Sequence, residues 1–141
     1  MEISDEAYEK IQILSEEGDL LAQKGLFSEG IEKYREALTF VPDPKTDWEA
    51  ACWLYTAIGD AQFYTRKYEE GRHSFHDAYN CADGRENPFI NLRLGQCYFE
   101  LGNLPQAEEY MMRAFMTAGA EIFEEDDPKY FDHMKSKFNL E

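Results

Sequence analysis

Apolar residues recur at spacings of three and four over most of the chain, in segments joined by short turns. Ile11, Leu14, Gly18 and Leu21 share a face of the first segment. It opens at Ser4, a good cap, with Asp5 and Glu6 in the first turn where the helix dipole favours acids. A helix is predicted from there to about Lys24. Gly25-Leu26-Phe27-Ser28 makes a turn, with Ser28 as cap of a second helix that turns Ile31, Tyr34 and Leu38 inward. Pro42 and Pro44 stop it. Thr46-Asp47-Trp48-Glu49 has capping-box spacing and predicts a third helix from there to about Thr65. A fourth is expected from Tyr68 to Cys81, ended by Asp83-Gly84. Asn87-Pro88 and Asn103-Leu104-Pro105 each set a capping side chain before a proline. They predict a fifth helix and a sixth over about 105–123. After Glu124-Glu125-Asp126-Asp127-Pro128, a seventh over about 129–138 puts Phe131, Met134 and Phe138 on one face.

Three of these segments carry one pattern in register. Gly18 is followed by Phe27 at +9, Gly30 at +12, Tyr34 at +16 and Ala37 at +19. Gly59 leads Tyr68, Gly71, Phe75 and Ala78 at the same offsets, and Gly95 leads Leu104, Ala107, Met111 and Ala114. This pattern resembles the tetratricopeptide repeat, a helix-turn-helix unit of about 34 residues. The resemblance covers roughly residues 10–119 and implies an all-α solenoid of three repeats, at about 10–43, 48–84 and 88–121. A C-terminal helix at about 128–139 then closes the exposed apolar end. The repeat's opening tryptophan position holds Leu14, Tyr55 and Asn91, and only the first copy keeps the closing proline, Pro42. Gly18 to Gly59 is 41 residues and Gly59 to Gly95 is 36. The larger surplus falls around Pro42–Asp47.

Composition narrows the partners. The 141 residues fit one domain, and 43% apolar content with 15% aromatics excludes a disordered tail. Twenty-nine acids against 14 bases give a net charge of −15. That argues against nucleic acid and anionic membrane and favours a basic partner. The N-terminus has neither a basic region nor an apolar run, and no stretch is long enough to span a membrane. Cys52, Cys81 and Cys97 are an odd, scattered set. A cytoplasmic protein with free thiols is expected.

The chemistry of catalysis is poorly represented. His73 and His76 lack the cysteine pair that a zinc site would add. No nucleophile is marked by an oriented base, and no glycine-rich phosphate loop follows a strand. No cofactor, no metal and no enzymatic activity are expected.

The resemblance implies that the first helix of each pair lines a concave groove. This places Gln12, Ser15, Asp19 and Gln23 there from the first copy, and Trp53, Thr56, Asp60, Phe63 and Tyr64 from the second. The third copy supplies Phe89, Leu92, Gln96, Phe99 and Glu100. Asp19, Trp53, Asp60, Phe63, Tyr64, Phe89, Phe99 and Glu100 are the candidate partner-binding residues, aromatics with acids beside them. Some members of the repeat family grip a C-terminal carboxylate with a Lys/Asn/Lys/Arg clamp. Ser15 and Asp19 stand where Lys and Asn would be needed, and only Arg93 resembles a clamp residue.

The ending Ala118-Gly119-Ala120-Glu121-Ile122-Phe123-Glu124-Glu125-Asp126-Asp127-Pro128-Lys129-Tyr130 is similar to that of small bacterial repeat proteins serving as immunity proteins in polymorphic (Rhs or contact-dependent) toxin systems. That resemblance implies a non-catalytic inhibitor of a basic toxin domain. The alternative is a chaperone of a secretion system, or an adaptor, holding an extended segment of its partner.

Overall fold

The computed structural model describes residues 2–140. These form α1 (Asp5–Gln23), α2 (Phe27–Leu38), α3 (Glu49–Tyr64), α4 (Tyr68–Tyr79), α5 (Pro88–Glu100), α6 (Leu104–Ala118) and α7 (Pro128–Phe138). Three short 3-10 turns, Lys45–Asp47, Gly84–Glu86 and Ala120–Phe123, lie in the longer connections. No strand occurs among the described residues.

Ser4, Asn87, Asn103 and Asp127 cap as their chemistry predicts, each accepting a bond from a first-turn N–H. Two expected caps do not form. Helix α2 begins at Phe27, inside the turn, so Ser28 is already helical and Leu26 precedes the helix without a side-chain cap. Thr46 lies in the first 3-10 turn, and Trp48 holds the position before α3, again without a side-chain bond. The capping-box spacing was present, but Trp48 is held in extended backbone by packing on the first core. Helix α4 stops at Tyr79, short of Cys81. Helix α6 stops at Ala118 because Gly119 takes a positive φ of 77°.

The three hairpin turns close alike. Leu26 N–H donates to Leu21 O, Lys67 N–H to Gln62 O and Asn103 N–H to Tyr98 O, all at 2.9 Å. This Schellman arrangement needs a left-handed residue one position earlier. Gly25 and Gly102 supply it, and Arg66 adopts it despite its side chain.

The paired helices approach through the small residues. A methyl added at Gly59 would lie 3.0 Å from three atoms of the Phe75 ring. At Gly95 it would collide with Met111 Cγ and lie 2.9 Å from Met111 N and 3.0 Å from Ala107 O. A ring tip can yield by tenths of an ångström, whereas helix backbone cannot. Gly95→Ala is therefore expected to destabilise by about 1–3 kcal/mol, and Gly59→Ala by clearly less. Urea unfolding of both variants is the check, and an equal loss would contradict the backbone argument.

The core runs along the stack. Ile11, Tyr34, Leu54 and Ile58 fill the first part. Phe75, Ile90, Leu94 and Cys97 fill the middle. Leu92, Met111, Phe123, Tyr130 and Met134 fill the end, where α7 covers α5 and α6. Polar ties fasten α7: Lys129 Nζ to Glu100 at 2.8 Å, Tyr130 OH to Glu100 at 2.9 Å, and His133 Nε2 to Glu108 at 2.7 Å.

Candidate functional site

Helices α1, α3 and α5, the first of each pair, pack in succession along one side of the stack, the side expected to be its inner face. Trp53, early in α3, is 59% exposed. Four cavities adjoin one another along α1 and α3, and Trp53 borders three of them. Glu16, Asp19, Asp47, Glu49, Asp60 and Asp83 line these spaces, and no lysine or arginine does. Among the described residues, Glu16, Asp47, Glu49 and Asp83 have no ion-pair partner. A negative field with an open indole at its centre is the dominant chemistry of this half.

The other half is organised around a cation of the chain itself. The Arg93 side chain is 4% exposed. Its Nε donates to Asp60 at 2.7 Å, and its Nη1 donates to Gln96 at 2.7 Å and to Asp126 at 3.1 Å. Its Nη2 donates to the Tyr64 hydroxyl at 3.2 Å. The guanidinium also lies 4.5 Å from the Phe63 ring centroid and 4.8 Å from that of Phe89. Burial opposes the charge, but Asp60 and Asp126 outweigh it and hold Arg93 protonated. Burial likewise pushes the Asp60 carboxyl above the usual range, and Arg93 only partly pulls it back.

The candidate residues thus divide into three groups. Asp19, Trp53 and Tyr64 are open on the inner face, although Asp19 accepts a 2.6 Å bond from the Tyr34 hydroxyl. Burial, with this bond, raises the Tyr34 pKa. Asp60, Phe63 and Phe89 are half-buried around Arg93. Phe99 and Glu100 face α7: Phe99 packs edge-on against Tyr130 at 5.2 Å and His133 at 5.4 Å. Leu92 and Gln96, expected in the groove, are buried; Gln96 donates to Asp126 at 2.9 Å. The lone clamp-like residue, Arg93, is consumed by the chain's own carboxylates.

Two features escaped the repeat pattern. Asp126, from an acidic run that reads as a solvated connection, turns inward to Arg93. At the N-terminal end, Ile3, Tyr8, Trp48, Glu49 and Trp53 line a cavity of about 360 Å³. Trp48 opens the second repeat, just after the surplus residues around Pro42–Asp47, and no repeat offset marks it as a cavity wall. Its indole N–H is buried without an acceptor.

Elsewhere, His76 is half-buried against Tyr79, Tyr98 and Tyr110, with Nε2 2.8 Å from the Tyr98 hydroxyl. Burial, Arg72 and His73 lower its pKa. Burial pushes the Cys97 thiol up to about 12, which leaves it inert. Among the described residues no three His, Cys, Asp or Glu side chains converge as metal ligands would. None of their helices is long and apolar enough to cross a membrane.

The backbone is similar to that of several solved structures. It superposes on the first TPR of Spaghetti (RPAP3) bound to the HSP90 peptide SRMEEVD with a TM-score of 0.69 at 20% identity, over 91% of this chain and 90% of that one. The N-terminal domain of STI-1 from C. elegans gives 0.69 at 15% identity, over 94% and 98%. MamA gives 0.65 at 17% identity, over 92% and 78%. The fold is that of a tetratricopeptide-repeat solenoid. No protein-family model and no curated protein matches the sequence.

Proposed function

We propose that this TPR chain is a non-catalytic protein-binding module, and that it acts as an immunity protein, holding a basic toxin domain inactive. The observation that carries the reading is the inner face of α1 and α3. Its cavities gather six carboxylates and an exposed tryptophan with no basic side chain among them. A basic domain is drawn to such a field from a distance and anchored by the indole on contact. The neighbour seen with an HSP90 peptide favours a second reading, an adaptor or secretion chaperone that holds an extended segment.

The test is capture of partners on the tagged full chain, identification by mass spectrometry, and binding kinetics. Trp53→Ala is expected to raise the off-rate and weaken binding by at least about 2 kcal/mol. Glu16→Lys should mainly slow association, by an amount that shrinks as salt rises. Parental kinetics for both variants would move the site off this face. Protection of cells by co-expression against a captured toxin supports immunity. Recovery of an unstructured segment without toxicity supports the adaptor.

A further inference from the structure

We infer that the cavity between Tyr8, Trp48 and Trp53 is a cation cage that receives an arginine side chain of the partner; this rests on the protein-binding reading above. Three aromatic rings reach the cavity from three places. Tyr8 comes from α1, Trp48 from the residue before α3, and Trp53 from the second turn of α3. The cavity of about 360 Å³ lies half open to solvent between them, with Ile3, Ile11 and Ala50 on its walls and Glu49 on its border. Ring faces attract cations, indole most strongly, and the attraction grows as water is excluded. Glu49 adds a full negative charge, and Asp47 and Glu16 line the neighbouring spaces.

The decisive observation is how this chain treats its other rings. Nine cation–ring contacts occur among the described residues, all on phenylalanine or tyrosine: Arg93 over Phe63, Arg85 over Tyr79 and Lys135 over Phe131 are examples. Neither tryptophan, the best receptor of the set, has one. Both line the same cavity beside an unpaired carboxylate. No cation of the described residues lines this cavity, so the one proposed here comes from outside. Arginine fits better than lysine: its planar guanidinium stacks on rings, sheds water more readily, and can bond a carboxylate through two N–H groups. Its methylene stem would cover the apolar walls.

The chain has two tryptophans, so the full-length protein labelled with nitrogen-15 gives two indole N–H signals. The probe is the blocked tripeptide acetyl-Gly-Arg-Gly-amide, titrated to roughly 10 mM. The same tripeptide with norleucine, and with trimethyl-lysine, are the comparisons. Arginine should shift both indole signals to saturation, and norleucine should not. Trp53→Ala should weaken the arginine peptide by at least about tenfold, with unchanged helicity. Glu49→Gln should weaken it several-fold. Glu70→Gln, an exposed acid on α4 that lines none of these cavities, should leave the affinity within about twofold.

Equal shifts by norleucine would make the cavity merely apolar. A stronger response to trimethyl-lysine would reassign it to quaternary ammonium groups. Equal losses from Glu49→Gln and Glu70→Gln would reduce the effect to a diffuse field, and no saturable shift would remove the cage. Each of these overturns the inference. If the arginine peptide saturates but no protein partner is captured, the cage stands and the immunity reading falls. If a partner binds and the peptide does not, the reverse holds.

Discussion

Replacing Arg93 with methionine is expected to lower the melting temperature by roughly 10 °C, equivalent to about 3–5 kcal/mol. The side chain is buried, and methionine would fill much of its volume, so lost packing is the smaller part. The larger part is Asp60 and Asp126, left as partly buried carboxylates without their cation. The loss should depend on pH, and the sign follows from Asp60. Burial already raises its pKa in the folded chain, and Arg93 is what restrains it. Without Arg93 the folded value rises further, while the unfolded chain keeps the value of a free aspartate. The folded variant then binds more protons than the unfolded one, so its stability falls as pH rises through that interval. Acidifying from pH 7 toward about 4 should therefore narrow the gap between variant and parent. Urea unfolding of both proteins across this range is the measurement. A gap independent of pH would mean that Asp60 and Asp126 are not the groups left stranded.

Deleting residues 128–141 should have an effect of comparable size and a different character. Helix α7 contributes Tyr130 and Met134 to the last core, 4% and 0% exposed. Phe131 stacks on Phe123 at 4.8 Å and on Phe115 at 6.0 Å. Each fully buried side chain of this size is worth about 1.5–3 kcal/mol, so the truncated chain should lose several kcal/mol. Leu92, Phe99, Met111 and Phe123 would then border a contiguous apolar surface, which favours self-association. Light scattering and thermal unfolding of the truncated protein decide this. A monomer that melts like the parent would show that α7 is not the closure of the stack.

The helices were legible because the repeat's small residues act locally. Gly59 faces Phe75 sixteen residues later for the same geometric reason that Gly95 faces Met111. Turn and proline signals placed the starts of α5, α6 and α7 closely, although the end of α6 was set too late. The caps at Ser28 and Thr46 misled because serine and threonine were at hand while packing of Phe27 and Trp48 set the helix starts. Trp53 and Tyr64 could be named because the resemblance puts the first helix of each pair on the groove. Phe99 and Glu100 looked the same by that rule, but α7 covers them, and no periodicity within the repeats records what a later helix will cover. Asp126 was the least legible. Only a distant, buried guanidinium distinguishes it from Glu124 and Glu125 beside it.

The Arg93 network also changes how this short array comes apart. Repeat stacks hold together mainly between neighbours, which lets them fray from either end. Asp60, Arg93 and Asp126 are separated by 33 residues at each step, and their bonds lash the second pair, the third pair and the closing segment into one cooperative block. The α1–α2 hairpin lies outside that block. Among the described residues no side-chain hydrogen bond joins it to α3, so packing alone keeps it docked. Tyr8 belongs to that hairpin and Trp53 to α3, so an occupant gripping both would fasten a joint that no side-chain hydrogen bond of the described residues crosses. Recognition would then be read out as mechanical strength of the N-terminal joint.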